Sequence, residues 1–133
     1  HENRYASWLY KRWGELDSIE FAGFMSKSRL YGYYEAADCF VFPSKVETWG
    51  LPITEFMDTG KPMILADLPY AHETAAGSKK TVFFRTTDAF ALKNEMRHLV
   101  MGDYSRLKEV PPVQLNSPSA ESWKALFEIL LKE

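Results

Sequence analysis

Two glutamates, Glu47 and Glu55, stand with seven residues between them in the stretch E-T-W-G-L-P-I-T-E. A carboxylate accepts hydrogen bonds in pairs, which suits the vicinal hydroxyls of a sugar, and it repels phosphate. Between them, Pro52 has the fixed φ and missing donor that suit a first helical position, and Gly60-Lys61-Pro62 marks a helix end, so a helix is predicted from about Leu51 to Thr59. Its first turn leaves amides near Leu51, Ile53 and Thr54 without intrahelical partners, and Gly50 has no Cβ to keep a ligand from the backbone. Such an end attracts an anion, typically phosphate. Glu47 falls in the approach loop and Glu55 about one turn into the helix, roughly 5 to 6 Å along its axis. Carboxylates flanking an anion site fit a sugar joined through a diphosphate to a ribose. Taken alone, the same pair also fits a structural role, favouring a helix N-terminus by ~0.3 to 1 kcal/mol each.

The elements that must position this stretch are legible around it. Cys39 to Phe42 and Met63 to Ala66 are continuous apolar runs, as expected of parallel strands covered by helices on both faces, and Val82 to Phe84 is a third run. Strand, helix, strand alternation argues for an open α/β sheet whose ligands sit beyond the carboxyl ends of its strands. Upstream, Tyr5, Trp8, Leu9, Trp13 and Leu16 recur at helical spacing, which predicts an amphipathic helix over 4–16 with both tryptophans in the core. Ile19 to Ala22 is a strand candidate ending at Gly23; a loop with capping serines follows, then a helix from about Arg29 to Ala37 in which Gly32 suggests a tight contact. Downstream, L-P-Y-A-H-E-T-A-A-G reads either as a short structural helix or as a segment bringing Tyr70, His72 and Glu73 to the crevice. Thr87 is a cap for a helix reaching Val100, residues 107–115 are extended, and Ser117-Pro118 starts a closing helix at about 118–132.

The context A-A-D-C-F-V-F-P-S-K-V-E-T-W-G-L-P-I-T-E-F-M-D-T-G-K-P-M-I-L-A-D resembles the donor-binding half of retaining family 4 glycosyltransferases. Trp49 departs from the usual Phe but keeps an aromatic. The resemblance implies an α/β, Rossmann-like parallel sheet with flanking helices, the C-terminal half of a GT-B fold, as one partial domain over 1–133. It implies a catalytic-site Glu47 at the donor sugar, backbone amides of Thr48, Trp49, Gly50 and Leu51 at the diphosphate, Glu55 at the ribose hydroxyls, and Phe24 and Met25 against the base. The donor is a nucleotide diphosphate sugar, with no other cofactor and no metal. Polysaccharide, lipopolysaccharide or other glycoconjugate synthesis follows as the setting. In that family the domain opens with two further strands and a Gly-Arg … Lys-Gly segment that supplies cations to the diphosphate, and an acceptor domain precedes it. Neither has a counterpart here, so the chain is expected to be part of a longer protein and inactive by itself. The closing helix resembles the one that reaches back toward the acceptor domain.

Composition narrows the alternatives. The 133 residues fit one domain, and 46% hydrophobic residues provide apolar surface for a core. A formal charge of -2 gives no general attraction to nucleic acid. The one cysteine, Cys39, lies in an apolar run and reads as a buried small hydrophobe compatible with a reducing cytoplasm. No apolar run reaches the ~18 residues of a membrane span, which leaves peripheral membrane association of a longer protein open. No D-x-D pair or Cys/His cluster suggests a metal. A receiver-type signalling domain would need acidic residues at strand ends, which Gly23 and Pro43 do not provide. A noncatalytic nucleotide- or partner-binding module and a sugar-nucleotide epimerase of similar architecture are the other readings.

Overall fold

The computed structural model describes residues 3–114, 119, 120 and 122–131. The chain separates into two compact units, 1–36 and 37–133.

The first unit holds α1 (Arg4–Trp13) and α2 (Lys27–Ala36). Asn3 caps α1, its side-chain oxygen accepting from the amides of Tyr5 and Ala6. The helix stops at Trp13, three residues short of the predicted 4–16 range, so Leu16 falls outside it; no α1 residue is buried, and Trp8 is 55% exposed. Within α1 and α2, Tyr34 is the only buried residue. Ile19 to Ala22 runs without a ladder partner among the described residues, so the expected strand there does not form. Ser26 acts as the cap of α2, its hydroxyl accepting from the Arg29 amide at 3.4 Å, and the helix begins two residues earlier than expected. A Cβ on Gly32 would meet nothing within 4 Å among the described residues, so no tight contact requires the glycine.

The second unit is a three-stranded sheet with helices on both faces. β1 (Phe40–Phe42), β2 (Met63–Ala66) and β3 (Thr81–Phe84) lie in the order β1-β2-β3, all parallel, with Phe40 opposite Met63 and Met63 opposite Thr81. Every residue of β2 is buried, which explains its unbroken apolar run. α3 (Leu51–Met57) and α4 (Pro69–Thr74) connect the strands and pack on each other. Phe40 stacks on Phe56 of α3 at 4.9 Å between ring centroids. Val41, one residue on and therefore on the opposite face, lines a groove with Ile64 and with Met96 and Leu99 of α5 (Ala89–Val100). Gly60, at φ 65°, ends the α3 turn in the left-handed conformation its sequence position implies. The cap of α5 is Asp88 and not Thr87; its Oδ1 accepts from the Ala91 amide at 2.9 Å, a position Thr87 is one residue too early to serve.

Residues 103–110 follow α5 and are tied down chemically. Glu95 is buried and pairs with Arg106 in a two-pronged contact, Nε to Oε2 at 2.7 Å and Nη2 to Oε1 at 2.6 Å. Lys108 then bridges Thr81 antiparallel, and Val110 is buried. α6 (Trp123–Leu130) is capped by Ser122 and lies within the expected closing helix; the expected start at Ser117-Pro118 lies outside the described residues. Among the described residues no helix is long and apolar enough to cross a membrane.

Asp103 supplies a test of the α5 end. Its Oδ1 accepts from the Ser105 hydroxyl at 2.6 Å and the Ser105 amide at 3.0 Å, and its Oδ2 lies 2.8 Å from His98 Nδ1. Those donors, Ser105 foremost, hold its carboxyl down at about 2 from an ordinary 3.8. Because the folded value is the lower one, the associated stability is fully present above 3.8 and lost as pH falls through about 2. NMR titration of the side-chain carboxyl should give a midpoint near 2 that moves toward 3.8 in Ser105→Ala. A midpoint of 3.8 in the unaltered protein would show that these bonds do not persist in solution.

Candidate functional site

The loop from Ser44 to Gly50 leaves the carboxyl end of β1 and enters α3, at the sheet end where open parallel sheets hold their ligands. Ser44 turns it, its hydroxyl donating to the Val46 carbonyl at 3.2 Å. Glu47, Thr48, Trp49 and Leu51 are exposed and Gly50 is buried. Gly50 sits at φ 83°, ψ 46°, a left-handed conformation that L side chains resist, and it caps α3 without a side-chain bond. The missing Cβ makes room for protein: one built there would lie 3.3 Å from Ile53 Cδ1 and 3.4 Å from the Tyr70 ring. Open backbone is found instead at the amides. Among the described residues, those of Thr48, Trp49, Gly50 and Leu51 have no acceptor.

α4 holds the loop from behind. The Tyr70 hydroxyl donates to the Ser44 carbonyl at 2.6 Å, and the Thr74 hydroxyl donates to the Trp49 carbonyl. Burial raises the Tyr70 pKa above its ordinary value, and the charge of Glu47 adds to the rise against an opposing contribution of the Ser44 side chain. Glu55, half-buried, lies four residues past Leu51 and so on the same side of α3, one turn further on.

The structure therefore brings Glu47, residues 48–51 and Glu55 into one contiguous loop and helix start. Of Tyr70, His72 and Glu73, Tyr70 is the one hydrogen-bonded to this loop among the described residues, and Thr74 of the same segment joins it. His72 Nε2 is 2.8 Å from Asp67 Oδ1, and its ring stacks on Phe83 at 3.8 Å. It lines a separate cleft of about 550 Å³ with Phe83, Arg106 and Lys108. Phe24 and Met25 lie in the first unit, Phe24 fully exposed and Met25 half-buried. His98, paired with Asp103, serves the end of α5. Among the described residues no three His, Cys, Asp or Glu side chains come together as a metal site. Thr74 went unnoticed in the sequence; its spacing of four from Tyr70 was the available signal.

A three-stranded parallel sheet flanked by helices is the α/β arrangement of a Rossmann-like half of a GT-B fold. The sequence profile described as "Glycosyl transferases group 1" matches residues 5–109, and the chain belongs to that family. It is also similar to an "Alpha-monoglucosyldiacylglycerol synthase" of Streptococcus pneumoniae (strain ATCC BAA-255 / R6), at 41% identity over 54 residues, 41% of this chain. The matched segment spans 12% of that relative's length. No solved structure matches significantly.

Gly50→Ala tests the loop. Holding alanine at positive φ costs about 1 to 2 kcal/mol, and its Cβ would press on Ile53 and Tyr70. Urea unfolding should show a loss of at least that size. An unchanged midpoint would mean the loop relaxes out of the left-handed conformation at no cost.

Proposed function

We propose that this chain forms the donor-binding part of a retaining family 4 glycosyltransferase that moves a sugar from a nucleotide diphosphate donor to an acceptor in glycoconjugate synthesis. The observation that carries this is the run of amides over Thr48 to Leu51 that have no acceptor among the described residues, with Thr48, Trp49 and Leu51 exposed, flanked by Glu47 and Glu55 beyond the carboxyl end of a parallel strand. Amides of this kind receive the oxygens of a diphosphate, aided by about half a positive charge from the helix end. Glu55 accepts the ribose hydroxyls, and Glu47, further out on the loop, contacts the donor sugar. No metal takes part in this reading.

Membership of the group 1 glycosyl transferases supports sugar transfer, and the name of the Streptococcus pneumoniae relative supports a lipid-linked acceptor among the candidates. Transfer to such an acceptor would place the working protein in the cytoplasm, in peripheral contact with a membrane. By itself the chain does not turn over a donor, because a departing diphosphate needs charge stabilisation and Lys45 is the nearest cation in sequence.

The two glutamates have separable effects in calorimetry on the intact protein with nucleoside diphosphates and their sugar-linked counterparts. Glu55→Ala should weaken binding of the free nucleoside diphosphate by roughly ten- to a hundredfold, the worth of a charge-assisted bond. Glu47→Ala should chiefly remove the increment due to the sugar. Equal losses with and without sugar in both variants would contradict the assignment, and contacts to the base alone would favour a noncatalytic module.

A further inference from the structure

We propose that Tyr70 and Thr74 are positioning residues for the nucleotide sugar, fixing the peptide planes of the 44–50 loop from the α4 side. This rests on the assignment of Glu47 and residues 48–51 to the donor.

In a trans peptide the carbonyl and the following N–H point in opposite directions. The Thr74 hydroxyl bonds the Trp49 carbonyl, so the Gly50 N–H is turned away from α4. The Tyr70 hydroxyl bonds the Ser44 carbonyl at 2.6 Å, which turns the Lys45 N–H outward likewise. Four residues apart, Tyr70 and Thr74 share one face of α4 and grip the loop at both ends. Between those two bonds lies Glu47. The Tyr70 ring also occupies the space beside the Gly50 Cα, so the glycine, its left-handed conformation and the tyrosine form one packed unit. A loop held in this way is ordered before a ligand arrives, and the entropy of ordering it is not charged to binding.

The two bonds have different expected readouts. Tyr70→Phe keeps the ring over Gly50 and frees only the Glu47 end. Calorimetry on the intact protein should show the ratio of sugar-linked to free nucleoside diphosphate affinity falling by roughly three- to tenfold, with free nucleotide affinity held within about twofold. Thr74→Val releases the Gly50 peptide and should weaken both ligands together by roughly three- to tenfold, and Thr74→Ser should restore them. A ligand-free measurement guards against misfolding: the NMR amide signals of Lys45 in Tyr70→Phe and of Gly50 in Thr74→Val should move, while those of α5 stay in place.

Parallel loss of both ligands in Tyr70→Phe, or unchanged affinities in both variants, overturns the proposal. Glu47→Ala separates the two levels. If it removes the sugar increment while Tyr70→Phe does not touch it, the positioning role falls and the donor site stands. If Glu47→Ala leaves the increment intact, the site assignment falls and the positioning role with it.

Discussion

A strand buried on both faces must find partners on both edges, because its apolar side chains exclude the water that would otherwise satisfy its backbone. β2 is that strand here. Met63 to Ala66 are all buried, and parallel pairing with β1 on one side and β3 on the other aligns three carboxyl ends along a single border. The connections that return the chain between parallel strands are α3 and α4, so both helices begin at that border. The candidate site is thus a consequence of how β2 is satisfied. Moving β2 by one residue would turn its side chains to the wrong faces and carry the start of α4 away from the loop it holds.

At that border the backbone divides its labour. Carbonyls of Ser44 and Trp49 are spent inward on α4, and amides from Thr48 to Leu51 are left outward among the described residues. An anion can be met this way without a cationic side chain in the loop beyond Lys45, and in the proposed function the carboxylates at the two sides then carry the specificity for a sugar. The arrangement fits a family whose donors join phosphate and hydroxyl groups within one molecule.

What the sequence disclosed and what it concealed follow from the range of the forces involved. Pro52 and Gly60 act on their own φ angles, and the ends of α3 were readable from them to within two residues. The Met63 to Ala66 run needed no partner to be recognised, since burial on both faces leaves its mark in composition. Ile19 to Ala22 has the composition of a strand, but a strand exists only through its neighbour, and none pairs with it among the described residues. Trp8 and Trp13 have core-like spacing, yet spacing gives a face and says nothing of what covers it. At α5, Thr87 and Asp88 are adjacent cap formers, and a one-residue choice between them lies below the resolution of pattern. Tyr70 was legible as one of two readings of its segment, whereas the partners of Tyr70 and Thr74 were not, because hydroxyl bonds to carbonyls 26 and 25 residues away are not written in local pattern.

Cys39 opens a different use of the same sheet. Burial pushes its thiol up to about 11, with the Asp38 charge adding to the shift against the Ile64 amide, so the thiol form dominates at neutral pH. In redox terms the chain is quiet, with its one sulfhydryl parked where β1 meets the groove beneath α5. Cys39 is half-buried where its apolar run predicts full burial, so alkylation of that sulfur reads how open the groove between β1 and α5 is to solvent.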